Sequence, residues 1–67
     1  MSALKKLVGS YCKIAVVPHN ETDTIVQSGF IKSVDMKHHV LFLENENGVV
    51  HIPLNTICAV KKMMLNE

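Results

Sequence analysis

The chain has 67 residues, a formal net charge of +1 and a hydrophobic fraction of 48%. A chain of this length buries only about 60% of its unfolded surface, so one domain is expected, and stability must be supplemented by disulfides, a metal or partner subunits. All 7 basic residues are lysines, and this balance disfavours duplex binding built on dense phosphate neutralisation and guanidinium readout.

The first element predicted is a short helix over about 2–8. It has Ser2 as N-cap, Leu4, Leu7 and Val8 on one face, and Gly9 as the stop. Too short to stand alone, it is expected to dock its leucines on the sheet that follows. Lys5 and Lys6 precede only Leu7 and Val8 before Gly9 and Ser10 interrupt. That run is too brief for a secretory segment or a membrane span, so a cytoplasmic location with no membrane partner is expected.

A strand over about 11–17 follows, with Cys12, Ile14 and Val16 alternating against Lys13 and Ala15 until Pro18 ends it. The polar stretch from His19 to Asp23 reads as a solvated loop without chemistry. The second strand, about 24–34, is long, and Gly29 inside it marks an expected bulge or bend. The third, about 39–44, contains the unbroken apolar run Val40-Leu41-Phe42-Leu43 and is expected to be central and covered on both faces. Asn47-Gly48 supplies the positive-φ preference of a tight turn into the fourth strand, about 48–52. Pro53 ends that strand, and Leu54-Asn55-Thr56 leads into the fifth, about 57–61. Of the tail, Met63, Met64 and Leu65 are apolar residues that would be exposed in a lone domain. The fold class is therefore mostly β: a short N-terminal helix and a five-stranded, strongly bent, SH3-like open barrel spanning residues 1–67.

Cys12 and Cys58 each lie inside an apolar strand-like run, where free thiols behave as small hydrophobes, so both are expected to be reduced and in the core. Neither Cys-x-x-Cys nor His-x-x-x-His spacing occurs among Cys12, Cys58, His19, His38, His39 and His51, and no metal or cofactor site is predicted. His51, within a strand, is expected to be an ordinary sheet residue. Nothing in the chain places a nucleophile beside a base or forms a glycine-rich phosphate loop, so no enzymatic activity is expected. With disulfides and metals unsupported, oligomerisation is the remaining source of stability, and an open sheet has edges whose pairing would provide it.

Gly29-Phe30-Ile31-Lys32-Ser33-Val34-Asp35 resembles the first motif of the Sm-like family in its glycine, apolar and aspartate positions. His38 and His39 fall where that family usually has methionine and asparagine. Val40, Phe42 and Glu44 fall on its apolar, apolar and acidic positions. Leu4, Leu7 and Gly9, followed by Cys12-Lys13-Ile14-Ala15-Val16, are similar to its helix and first strand. Ile52-Pro53-Leu54-Asn55-Thr56-Ile57 stands where the second motif has Ile-Arg-Gly and a later Ile. The resemblance covers residues 4–60.

The resemblance implies a homo-oligomeric ring of roughly six or seven subunits, closed by pairing the fourth strand of one with the fifth of the next. Val49, Val50, Ile57, Ala59 and Val60 are the apolar residues of that interface. It also implies a single-stranded RNA site at the pore, where Asp35, Lys37, His38, His39 and Asn55 would recur once per subunit. Imidazoles can stack on unpaired bases, Asn55 can read base edges and Lys37 can meet a phosphate. The alternative is an SH3-like protein interaction or assembly module that binds no RNA, which the missing arginine and glycine of the second motif favour.

Overall fold

The computed structural model describes residues 4–63. Five strands, β1 (Tyr11–Val16), β2 (Ile25–Asp35), β3 (Val40–Asn45), β4 (Gly48–Pro53) and β5 (Ile57–Lys62), form one antiparallel sheet in the order β4-β3-β2-β1-β5. The sheet is not closed, and β4 and β5 are its two edges. Among the described residues no helix is long and apolar enough to cross a membrane.

Alternation decides which side chains meet. Cys12, Ile14 and Val16 of β1 turn to one face together with Ile31 of β2, Leu41 and Leu43 of β3 and Ile52 of β4, and these seven form the buried core. The five side chains of this set with no exposure at all, Cys12, Ile14, Ile31, Leu41 and Leu43, are the main source of stability, at about 1.5–3 kcal/mol for a fully buried aliphatic residue. Leu4, Leu7, Val34, Val50, Leu54, Ile57 and Val60 pack around them.

The expected helix over 2–8 is a 3-10 turn, Lys5–Leu7, because Gly9 and Ser10 are drawn into pairing with β2. Gly9 N–H donates to Ile31 O at 2.7 Å and Ile31 N–H to Ser10 O at 3.1 Å, which leaves too few residues for a second turn. Leu4 and Leu7 still dock on the core, as expected, while Val8 is 44% exposed and does not join them. Ser2, the expected cap, lies outside the described residues, as do Met64 and Leu65. Met63 is within them and extends the β1–β5 ladder through an N–H bond to Tyr11 O of 2.8 Å.

The expected bulge at Gly29 falls elsewhere. Cys12↔Gly29 and Phe30↔Glu44 pair regularly, and the register against β3 slips between Ile31 and Ser33, leaving Lys32 unmatched. Gly29 has a different function: an added Cβ would stand 2.5 Å from Glu44 O and 3.1 Å from Leu43 Cγ, so only glycine lets β3 approach this closely. The third strand is not the central one either. That position belongs to β2, with β3 one in from the edge. Its outward residues Val40 and Phe42 are half-buried, with no second layer over them.

Cys58 is exposed, whereas Cys12 is in the core. Ala15 pairs with Ala59 and Val16 with Ile57, so Cys58 is the extra residue of a slip between β1 and β5 and is turned away from the apolar face. In the β3–β4 turn the positive φ sits on Gly48 alone, at 117°. Asn47 keeps a negative φ and donates its N–H to Asn45 Oδ1 at 2.8 Å.

Gly29→Ala is expected to destabilise the fold by about 1–3 kcal/mol, the usual consequence of forcing atoms into a filled space, read from urea unfolding at fixed protein concentration. Unchanged stability would show that β2 and β3 separate without penalty at this point.

Candidate functional site

The turn between β2 and β3 is built on Asp35. Its Oδ1 accepts the His38 backbone N–H at 3.1 Å and its Oδ2 lies 2.8 Å from His38 Nδ1. An ionised carboxylate can only accept, so the ring nitrogen is the donor. The His38 ring hydrogen bond, followed by the His38 backbone N–H, holds the Asp35 carboxyl below its ordinary value against a smaller opposing effect of desolvation. The His38 side chain remains 70% exposed, so one edge of the imidazole is fixed while its faces stay open to solvent. His39 takes the left-handed conformation, φ 57°, and reverses the chain into β3.

A second turn is fixed against the first. The His39 carbonyl accepts the Leu54 N–H at 2.8 Å, tying the β2–β3 turn to the 3-10 turn Leu54–Thr56. Thr56 is buried and donates its hydroxyl to Pro53 O at 2.7 Å, and its carbonyl accepts the Val17 N–H at 2.9 Å. Pro53, which has no N–H to contribute to a ladder, ends β4 where this turn begins. Asn55 therefore projects from a turn anchored on both sides, and it is exposed, as are Lys37, His38 and His39. The five residues singled out for RNA binding, Asp35, Lys37, His38, His39 and Asn55, stand at one end of the sheet.

The five residues singled out for an interface occupy the two edge strands, Val49 and Val50 on β4 and Ile57, Ala59 and Val60 on β5. Val49 is 43% exposed and Ala59 is exposed. Val50, Ile57 and Val60 are half-buried against the core, so what these three offer a partner is chiefly backbone.

Sequence reasoning did not find the groove on the opposite, outer face. It has a volume of about 530 Å³ and is lined by Tyr11, Ser28, Phe30, Glu44 and the turn residues Glu46 and Asn47, among others. Tyr11 and Phe30 meet edge to face, with centroids 5.1 Å apart and planes at 71°. The signal was present: Tyr11 is out of phase with the buried Cys12, Ile14 and Val16, but its partner is fixed only by register. His51 is exposed and packs edge to face with Phe42 at 4.7 Å. A smaller cleft of about 310 Å³, between Val16, Pro18 and His19 on one side and Val50, Ile52 and Thr56 on the other, opens from the inner face.

Among the described residues no group of three His, Cys, Asp or Glu side chains is placed to hold a metal ion. Burial pushes the Cys12 thiol up, partly offset by the Lys62 ammonium, which keeps it protonated and unreactive. Comparison with protein-family models, curated proteins and solved structures returns no match.

The lowered Asp35 value fixes a sign. A carboxyl depressed on folding stabilises the native state above its unfolded value of about 3.9 and loses that contribution as pH falls through the lower folded value. NMR titration is expected to place the Asp35 midpoint below about 3.9, and His38→Ala to move it upward. An unshifted midpoint in the variant would show that His38 does not hold the carboxylate.

Proposed function

We propose that this chain is a ring-forming, Sm-like protein that binds single-stranded RNA at the turn cluster of Asp35, Lys37, His38, His39 and Asn55. The observation that carries the reading is the strand order, which leaves β4 and β5 as the two open edges of one sheet. Edge strands carry unpaired backbone donors and acceptors, and head-to-tail pairing of unlike edges closes into a ring when the rotation permits. Such pairing adds the buried area that a chain of 67 residues lacks.

The cluster suits RNA rather than duplex DNA. The exposed His38 and His39 rings offer faces to unstacked bases, Asn55 offers both donors and acceptors, and Lys37 supplies the one positive charge of the group. A single site of this kind is weak. Repeated around a ring, it gains avidity of roughly 10²–10⁴ over one site.

The outer groove and the open edges also favour a second reading, an SH3-like module that captures a protein strand by edge pairing. Native mass spectrometry and retention of U-rich and A-rich oligonucleotides at low salt separate the two. The RNA reading expects a closed oligomer that retains RNA. It also expects H38A/H39A/N55A to keep the oligomer and lose retention, at about 1–3 kcal/mol for each stacked base removed. A triple variant that retains RNA unchanged would rule out this cluster. A monomer without RNA affinity would favour the protein-binding module.

A further inference from the structure

The chain has one tyrosine, two phenylalanines and no tryptophan, and none of these three rings belongs to the buried core. Register places all three on the outer face. Tyr11 pairs with Phe30 and Phe30 with Glu44, while Phe42, two residues from Glu44 on β3, pairs with His51 of β4. The face thus carries two edge-to-face pairs, Tyr11 with Phe30 and Phe42 with His51, at centroid distances of 5.1 and 4.7 Å. Phe30 is 46% exposed and His51 is exposed, so each pair keeps surface that a further π-system can cover.

Charge is divided along the same face. Lys13 of β1 lies directly opposite Lys61 of β5 and, on its other side, opposite Ser28 of β2, which lines the outer groove with Glu44 and Glu46. Among the described residues the one ion pair within 4.0 Å is His38 with Asp35, so neither Glu44 nor the two lysines are neutralised there. Like charges directly opposite each other on antiparallel strands are destabilising, and an anion held between Lys13 and Lys61 relieves that repulsion.

We infer that this outer face binds single-stranded RNA and selects a guanine in the Tyr11–Phe30 groove. The base stacks on Phe30 and donates its N1–H and N2–H to the Glu44 carboxylate, its phosphate sits between Lys13 and Lys61, and the next base covers the Phe42–His51 pair. The inference rests on the RNA reading and adds to it a second surface and a base preference. An ionised carboxylate only accepts, and guanine alone among the four bases has two adjacent donors on its Watson–Crick edge. Adenine and cytosine set an acceptor beside the amino group, and uracil flanks its one N–H with two carbonyls. Glu44 therefore chooses the base, while stacking, which tolerates any sequence, supplies affinity.

The spacing suits one nucleotide followed by a second base. Lys13 is two strands and a two-residue step from Glu44, about 12 Å between backbones at about 4.8 Å per strand and about 3.4 Å per residue, and both side chains reach inward across that span. Phe30 and Phe42 are diagonal neighbours on adjacent strands, about 7–8 Å apart. Val40 and Pro53, the next pair along β3 and β4, adjoin the turns of Asp35 and Asn55, so a strand laid on this path runs on to the turn cluster.

The test titrates the full chain at low salt with a uridine oligonucleotide, with the same strand carrying one central guanine or one central adenine, and with GMP. Calorimetry reads affinity, and NMR follows the Tyr11, Phe30 and Phe42 rings. The guanine strand is expected to bind about tenfold or more tighter than the adenine strand, the usual range for a bidentate base contact, and to shift the Tyr11 and Phe30 signals. E44Q, verified as folded by circular dichroism, is expected to lose this preference and keep its affinity for the adenine strand. K13M/K61M is expected to weaken all three strands alike and to reduce the salt dependence. Equal binding of the guanine and adenine strands, an unchanged preference in E44Q, or RNA binding that leaves all three rings unmoved overturns this surface while the RNA reading stands. GMP binding as tightly as the guanine strand overturns RNA as the occupant. Absence of binding to any strand overturns the RNA reading, and this surface with it.

Discussion

The close approach of β3 to β2 at Gly29 is the contact on which the rest of the molecule depends. No side chain separates the Gly29 backbone from Glu44 O, because even a methyl group would stand 2.5 Å from that oxygen. Leu43 is thereby brought down beside Ile31, its register partner, and both are fully buried. The slip at Lys32 lies three residues further along and changes the phase of β2, so Ser33 turns outward and Val34 turns inward onto the core. A regular strand would have buried the serine and exposed the valine. Asp35, the last residue of β2, stands at the end of the sheet where the turn cluster is assembled.

That cluster depends on backbone bonds between its two turns as well as on the Asp35 carboxylate. The His39 carbonyl and the Leu54 N–H join two turns far apart in sequence, and Thr56 locks the second turn to Pro53 and to Val17. The side chains of Lys37, His38, His39 and Asn55 face water, and the His38 ring is in addition bonded to Asp35. A site of exposed groups on an anchored frame fits a ligand that brings its own π-faces and phosphates, which is the chemistry of the proposed RNA site. The Asp35–His38 bond gives the exposed His38 imidazole a fixed orientation, and so lowers the entropy lost when a base stacks on it.

The proposed ring addresses a deficiency of the lone sheet. Seven core side chains on one face of an open sheet leave both edge strands with unused backbone groups. The apolar residues on those strands are mostly turned inward, so edge pairing alone would not distinguish one direction of approach from the other.

The number of strands, their approximate bounds and the buried face of β1 were all legible in the sequence, because each depends on local alternation and on turn formers such as Pro18, Pro53 and Gly48. The docking of Leu4 and Leu7 was legible for the same reason. What the sequence could not decide was everything set by register between strands. Gly29 reads as a bulge until Glu44 is known to lie against it, and the run Val40–Leu43 reads as central until the sheet order is known. Cys58 reads as a core thiol until the slip against β1 turns it outward. The groove of Tyr11 and Phe30, the joining of His39 to Leu54 and the opposition of Lys13 to Lys61 are likewise products of tertiary pairing. A strand's sequence fixes which residues share a face, but only its neighbours fix which residues on that face touch.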